Sequence, residues 1–394
     1  MAGLIPVEEA QARLLALATP VTAETQPLGD AAGRWARIAL AARRTQPDAD
    51  LSAMDGYALR YRDMPGPWRI IGESAAGHPF AGAVGAGEAV RIFTGAALPE
   101  GADTVMVQEE ADVDGTTLRL AGEGPRRQGG NVRRRGLDFS AGDPLIAAGA
   151  TLTPARIALA AAAGHGAIEV NRRVRVAIAA TGDELVPPGS DPDRPGLPEA
   201  NGVMLRALLG AWPVEVIDLG ILPDRLDVLT RAFAAVDADV LVTTGGASVG
   251  DHDLVRPALL AAGGAIDFWR IALRPGKPMM AGTLGRAIVL GLPGNPVSAF
   301  VTARLFLLPL IAALGGAADP LPRPLTAVLA EPLPGNDHRQ DYLRGHVAEG
   351  RVSIAQVQDS SMLQTLARAN CLVIRAPHAP PAQPGDTVPI LPLA

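Results

Sequence analysis

The chain opens with apolar residues at helical spacing. Leu4, Val7, Ala10, Leu14 and Leu17 fall on one face, which predicts an amphipathic helix over residues 4–18. From about residue 28 the pattern shortens. Apolar runs alternate with Gly and Pro in "WRIIGESAAG", "EAVRIFTGAALPEGADTVMVQEE" and "TLRLAGEGP", the texture of short strands and turns. "TLTPARIALAAAA" at 151–163 returns to a helix, with Pro154 suited to its first turn. From 173 strand and helix alternate. "VRVAIAATG", "VEVIDLG", "DVLVTTGG", "IDFWRIAL" and "RAIVLGL" read as strands. "NGVMLRALLGAW", "RLDVLTRAFAAV", "DLVRPALLAAGG" and the long "PVSAFVTARLFLLPLIAAL" read as helices. This rhythm predicts a parallel sheet with helices on both faces, whose sites lie at the carboxyl ends of the strands. The proline-rich "ADPLPRPLTAVLAEPLPG" marks a boundary near 320, and "RVSIAQV", "CLVIRAP" and "DTVPILPL" predict a small β domain beyond it.

Composition narrows the function classes. With 394 residues the chain has room for several domains. Hydrophobic residues make up 48% and aromatics only 4%, so the core is built from Ala, Val, Leu and Ile. A formal net charge of −6 argues against a general nucleic-acid binder. The single cysteine, Cys371, excludes an intrachain disulfide and any multi-cysteine metal site, and fits a reducing compartment. The N-terminus lacks the basic start of a signal peptide, and "LALAAAAGHGAIEV" is too short and glycine-broken to span a bilayer. A cytoplasmic protein with no membrane and no nucleic-acid partner is expected.

The strand ends carry the candidate chemistry. "AATGDEL" offers Asp183 and Glu184, "GILPDR" offers Asp224, and "TTGGASVGDHD" offers Ser248, Asp251 and Asp253. Glycine loops receive phosphate oxygens, whereas carboxylates repel them. Phosphate carrying Mg²⁺ satisfies both. A lone Asp at a strand end is commonly a helix cap, a reading that suits Asp183 and Asp251. Glu184, Asp224 and Asp253 together point to a metal. Lys277, inside "RPGKP", is the only lysine in the chain. A compact ammonium is not interchangeable with a guanidinium at a point-charge site, so its survival there points to function. Gly294 of "GLPGNP" either makes a tight turn or lets backbone approach a flat ring.

No GxxxxGK[ST], no GxGxxG opening the first strand of the α/β region and no HExxH is present. In the β-rich half, Asp55 sits in the turn of "LSAMDGYALR" and Thr94 precedes a glycine. Arg126, Arg127, Arg133, Arg134 and Arg135 run up to Asp138. An arginine run is a solvated loop by default; beside a phosphate site it gains weight as an anion clamp.

Together, "SAMDGYA", "FTGAALPEGADTVMVQEE", "GGNVRRRGLDFSAGD", "ATGDEL", "NGVMLRALL", "TTGGASVGDHD", "RPGKP", "GLPGNPVS", "YLRG" and "QDSSMLQTLARAN" resemble the molybdopterin molybdenumtransferase family. These are the MoeA-like proteins, which include the C-terminal domain of gephyrin. The strings run in the family's order over nearly the whole chain. The resemblance implies an α/β multidomain fold. A helical linker domain would comprise 1–27 and 141–172, and an inserted β-rich domain 28–140. A doubly wound α/β domain for the molybdopterin nucleotide would span 173–320, and a C-terminal small β-barrel domain 321–394.

It also implies transfer of molybdenum from molybdate into adenylylated molybdopterin, with Mg²⁺-dependent release of AMP. A homodimer with clefts between protomers and handover partners in cofactor synthesis are implied too. By motif, Asp55, Asp138, Glu184, Asp253 and Lys277 would be catalytic, and Glu184, Asp224 and Asp253 would handle metal. Thr94, Arg133, Ser248, Asp224, Arg274, Gly294, Asn295, Arg344 and Ser360 would bind substrate, with Arg344 and Ser360 at molybdate. Asp55, Thr94, Arg133 and Asp138 would face the partner protomer's α/β domain.

One departure stands out. Arg270 and Arg274 occupy positions where the family often has lysine, which keeps charge but changes its geometry. Two other readings compete. Adenylylation of molybdopterin belongs to stand-alone domains resembling 173–320, and the flanking "SAMDGYA" and "RRRGLD" argue against it. A scaffold role, which gephyrin also has, would call for a separate partner-binding tail that this chain does not supply.

Overall fold

In the strand Val174–Thr181, Val176 and Ile178 point to one face and Ala177 and Ala179 to the other, and all four are buried. A strand apolar on both faces must be covered on both. The computed structural model, which describes residues 4–191, 193, 195–246 and 254–393, meets that demand with two helical layers. Asn201–Leu209 and the continuous helical run Pro296–Leu314 cover one face through Leu205, Leu209, Val297 and Phe306. Leu226–Ala234 and Val255–Ala261 cover the other through Leu229, Phe233 and Leu259.

The sheet has six strands in the order Val214–Leu222, Val174–Thr181, Val240–Thr244, Ala287–Leu292, Met280–Leu284, Ala265–Trp269. The first four run parallel, and the last two join antiparallel. The alternating rhythm predicts a parallel sheet with helices on both faces, and the first four strands and the two helical layers meet that expectation. The two antiparallel strands at the edge have a simple cause: no helix lies between residues 265 and 292, and short connections return the chain antiparallel. From Val214–Leu222 the chain crosses over to Val240–Thr244, on the far side of Val174–Thr181. That reversal opens a crevice at the carboxyl ends of these strands.

The helix Pro296–Leu314 is long and apolar enough to cross a membrane, but 83% of its apolar window is buried inside the protein. A π turn at Ala303–Leu307 interrupts it. Pro309 has no N–H to return to the Leu305 carbonyl, and Gln11 Nε2 donates to that oxygen at 2.9 Å. Gln11 belongs to the N-terminal helix Val7–Ala16, which buries Val7, Ala10 and Leu14 in the same core.

Around this centre sit the other layers. Ala23–Pro27 pairs antiparallel with Ala167–Asn171 beside the helix Pro154–Ala162, whose N-cap Thr153 accepts the Arg156 N–H at 3.3 Å. The inserted sheet has six strands in the order Thr104–Val107, Gly56–Leu59, Glu88–Ile92, Trp68–Ser74, Thr117–Leu120, Ala111–Asp114. At the C-terminus, Gln340–Ala348, Arg351–Ile354, Leu325–Leu329, Thr387–Pro392 and Cys371–Arg375 close into a five-stranded barrel. Closure removes exposed edges. The short strand Leu273–Arg274 of the α/β region pairs with Gln340 and Asp341, which stitches the barrel to the mouth of the crevice.

Candidate active site

A cleft of about 720 Å³ occupies that crevice, within the size range of small-molecule sites. Each strand end contributes. Gly182 and Glu184 follow Val174–Thr181, Asp224 follows Val214–Leu222, and Gly245 and Gly246 follow Val240–Thr244. Gly294 and Asn295 follow Ala287–Leu292, and Arg274 and Lys277 come from the loop before Met280. The barrel adds Arg339, Asp359 and Ser360. Seven expected residues therefore meet: Glu184, Asp224, Arg274, Lys277, Gly294, Asn295 and Ser360. Ser248, Asp251 and Asp253 lie outside the described residues.

One wall is acidic. Asp183 Oδ1 accepts the Asp224 N–H at 3.0 Å, so Asp183 ties two strand-end loops together rather than capping a helix. Burial pushes the Asp224 carboxyl up from its ordinary range, the charges of Asp183 and Glu184 push it further, and the Asp183 N–H opposes them. A carboxylate raised in the folded state stabilises the fold at low pH and loses that contribution as pH rises through its folded pKa. Once ionised, it carries its charge at a cost to the fold. Asp224→Asn should therefore keep or slightly raise Tm at pH 7 while lowering turnover about a hundredfold or more. Thermal melts and rate assays check this, and a clear fall in Tm would make Asp224 a structural residue instead. Among the described residues no group of three His, Cys, Asp or Glu could hold a metal. The expected set of Glu184, Asp224 and Asp253 has its third member outside them.

The two glycines of interest differ. Gly245 has φ +87°, and a Cβ there would lie 2.4 Å from the Thr181 carbonyl oxygen. The backbone itself requires glycine, and Gly245→Ala should cost about 1–3 kcal/mol. Among the described residues a Cβ at Gly294 would meet only the Gly245 Cα at 3.7 Å, an ordinary contact. Gly294→Ala should leave Tm within experimental error. Any need for glycine there comes from the cleft's occupant. Paired denaturation curves test both.

The other wall is basic. Three strand steps separate Val174–Thr181 from Met280–Leu284, roughly 14 Å at the usual spacing. Lys277 is exposed, and its ammonium has no hydrogen-bond or ion-pair partner among the described residues. Arg274 differs: its guanidinium donates to Asp337 at 3.2 Å, to Asn336 at 3.0 Å, and to Asp341. It lines the cleft but is committed to the barrel. Arg270, at φ +82°, donates its N–H to the Met279 carbonyl at 3.1 Å and does not line the cleft.

Asn295 stands at the N-cap of its helix, but its side chain makes no capping bond; its Nδ2 donates to Ser360 Oγ at 2.8 Å. The Val297 N–H reaches the Ser360 carbonyl at 3.1 Å, so the barrel loop docks on "GLPGNP". Arg344 is fully buried behind the cleft rather than lining it. Its Nη2 donates to the Val357 carbonyl at 3.3 Å and the Asp359 carbonyl at 3.1 Å, while Nε and Nη1 have no partner among the described residues. Burial pushes its guanidinium down from the ordinary arginine value. Arg344 thus supports the loop that carries Asp359 and Ser360. Arg339, Asp359 and Ser298 also line the cleft, unforeseen from the sequence. Arg339 stands five residues before Arg344 in "RQDYLR", where no motif distinguishes it.

The remaining expected residues form a second group on the inserted domain. Thr94 donates its N–H at 2.7 Å and its hydroxyl at 2.8 Å to Asp55 Oδ1. These bonds hold the Asp55 carboxyl below the usual range, so it stays ionised. Backbone bonds Gly95 N to Ser52 O and Ala53 N to Asn131 O, both 2.9 Å, braid three segments. Arg133 pairs in register with Leu51 on the same edge. Arg134 and the Arg135 N–H both engage Asp50, at 2.6 and 2.8 Å, whereas the Arg133 side chain has no partner among the described residues. Asp138 follows in an exposed loop. None of Asp55, Thr94, Arg133 and Asp138 lines the cleft.

Known proteins share this architecture. Residues 5–164 match the MoeA N-terminal region (domain I and II), 177–313 a probable molybdopterin binding domain, and 326–393 the MoeA C-terminal region (domain IV). A molybdopterin molybdenumtransferase of Haemophilus influenzae is 35% identical over 402 positions, covering 99% of this chain and 98% of that one. Molybdopterin molybdenumtransferase 2 of Mycobacterium tuberculosis is 34% identical, covering 89% and 90%. The crystal structure of a molybdopterin biosynthesis MoeA protein from Pyrococcus horikoshii superposes with a TM-score of 0.85 at 25% identity, over 99% of this chain and 100% of that one. Full-length coverage at this identity, with all three regions in order, means that the chain belongs to the molybdopterin molybdenumtransferase (MoeA) family.

Proposed function

We propose that this enzyme of molybdenum cofactor biosynthesis takes adenylylated molybdopterin and molybdate, releases AMP, and leaves molybdenum on the pterin dithiolene. The observation that carries the proposal is a cleft with carboxylates on one wall and, on the other, a lysine that has no partner among the described residues. Glycine-lined strand ends between them suit a phosphate-bearing ligand. Glu184 and Asp224 are hard oxygen donors that fit Mg²⁺, and the raised Asp224 carboxyl would be relieved by it. Bound there, Mg²⁺ would offset charge on the phosphoanhydride. Lys277 supplies a fixed positive charge for an oxyanion. Ser360, held by Asn295, presents its hydroxyl from the barrel side. The protein's main contribution is to bring two anions together in one orientation. The test is AMP release: it should require both Mg²⁺ and molybdate, and release that ignores molybdate would favour simple hydrolysis.

Asp55 and Thr94 form an ionised, hydrogen-bonded pair outside the cleft, so a role in the reaction needs a second protomer. A homodimer whose clefts are completed by the partner's inserted domain meets that need. Asp55→Ala and Lys277→Ala, each inactive alone, should recover about a quarter of wild-type activity when mixed and reassembled, because half the dimers keep one intact site. No recovery would place both residues in the same protomer's site.

A further inference from the structure

Asp55 ends the loop that leads into the strand Gly56–Leu59 of the inserted sheet. Its Oδ1 takes both Thr94 donors, and no hydrogen bond reaches Oδ2 among the described residues. One carboxylate oxygen is therefore fixed, and the direction of the other depends on how the backbone at 55 and 56 is held. Both carbonyls of that stretch are engaged. The Asp55 carbonyl accepts the Gln108 N–H at 3.0 Å, and the Gly56 carbonyl accepts Arg91 Nη1 at 3.1 Å. Arg91 Nη2 donates to Gln108 Oε1 at 2.6 Å, which joins the two supports.

The Arg91 guanidinium is itself held by two rings. Its central carbon lies 5.1 Å from the ring centroid of Tyr57, the residue directly across the strand pair, and 4.9 Å from that of Phe93. Both are cation–π contacts. Three residues beyond Arg91 the chain reaches Thr94. Residues 91–94 thus supply the hydrogen bonds to the Asp55 carboxylate and the support for the backbone beneath it. The Thr94 bonds do most to hold that carboxyl low, and the Arg91 charge adds to them. With both terminal nitrogens engaged inside the domain and two rings against it, Arg91 acts on the placement of Asp55.

We propose that Arg91 is a positioning residue: held by Tyr57, Phe93 and Gln108, it fixes the Asp55–Gly56 backbone so that the free Asp55 oxygen meets the partner protomer's cleft in one orientation. The inference rests on the proposed function, because it takes Asp55 to act in the reaction.

Arg91→Gln leaves Asp55 and Thr94 in place and removes the charge, the fork and the stacking. It should lower kcat about ten- to a hundredfold, as a misplaced reacting group does, while KM for adenylylated molybdopterin and for molybdate stays within about twofold. Arg91→Lys keeps the charge and should recover part of the loss. Gln108 is exposed, so Gln108→Ala removes one support without threatening the fold. It should lower kcat in the same direction and add nothing further in the Arg91→Gln background. Mixed and reassembled with Lys277→Ala, Arg91→Gln should recover about a quarter of wild-type activity; with Asp55→Ala it should gain nothing above its own residual rate, because both changes fall on the same inserted domain.

Wild-type kcat in Arg91→Gln, or in Gln108→Ala if the first variant does not fold, overturns the inference while an inactive Asp55→Ala leaves the proposed function standing. A rise in KM at constant kcat also overturns it, since Arg91 would then touch a ligand, and so does recovery on mixing with Asp55→Ala. Near wild-type turnover in Asp55→Ala itself removes Asp55 from the proposed function and the inference with it.

Discussion

Lys277→Ala is expected to lower turnover about a hundredfold or more, and Lys277→Arg to recover little of it, if the proposed site uses a compact point charge. Two independent observations support this expectation. Every other basic side chain in the sequence is arginine, so whatever favours arginine elsewhere did not prevail at 277. In the fold, the same residue reaches the cleft with no protein partner among the described residues, while the neighbouring Arg274 is tied to three acceptors. An unpartnered exposed ammonium contributes little to stability, so Tm should stay within about 1 °C for both variants. Steady-state kinetics beside thermal melts check this. Near wild-type turnover for Lys277→Arg would remove the point-charge argument.

Arg274→Ala has the largest expected effect on stability. It strands Asp341, whose side chain is only 4% exposed and whose Oδ1 already lacks a partner among the described residues. Removing one member of a buried pair costs about 3–5 kcal/mol. Arg274 is 43% exposed, so solvent screening brings the expectation to about 2–3 kcal/mol. Burial already pushes the Asp341 carboxyl up, with Arg274 opposing it. Without Arg274 the carboxyl rises further and is neutral over a wider acidic range. The destabilisation should therefore shrink as pH falls through the folded pKa, and Arg274→Ala, Asp341→Asn should recover part of it. Denaturation curves at pH 5 and pH 8 measure both. Equal destabilisation at the two pH values would contradict the buried-charge account.

How much was legible in the sequence follows from what is local. Periods of two and 3.6 are local, so Val174–Thr181, Val240–Thr244 and the helices around them were foreseeable, as were the strand-end positions of Glu184 and Asp224. Met280–Leu284 was not. Gly282 interrupts its apolar pattern, and the reason is tertiary: a Cβ there would lie 2.1 Å from the Ala265 carbonyl of the neighbouring strand. The motif containing Arg344 was legible, but its burial was not, since only barrel closure places it behind the cleft. Arg339 carried no signal, because its place on the cleft depends on a junction joining residue 274 to residues 336–341. That Lys277 stands apart was legible from composition and its place in "RPGKP", whereas its position on the cleft opposite Glu184 and Asp224 depends on the strand order. Asp183 was misread as a cap because a strand-end Asp serves helices and loops alike, and only the 3.0 Å bond from the Asp224 N–H decides between them.

The central claim is one cleft with a metal-phosphate wall and an oxyanion wall. Anomalous diffraction at the molybdenum edge tests it most directly, on crystals grown with AMP, Mg²⁺ and molybdate. The account predicts a molybdenum peak beside Lys277 and the Ser360 loop, with the AMP phosphate on the side of Glu184 and Asp224. A molybdenum peak beside the carboxylates, or outside the cleft, would contradict it.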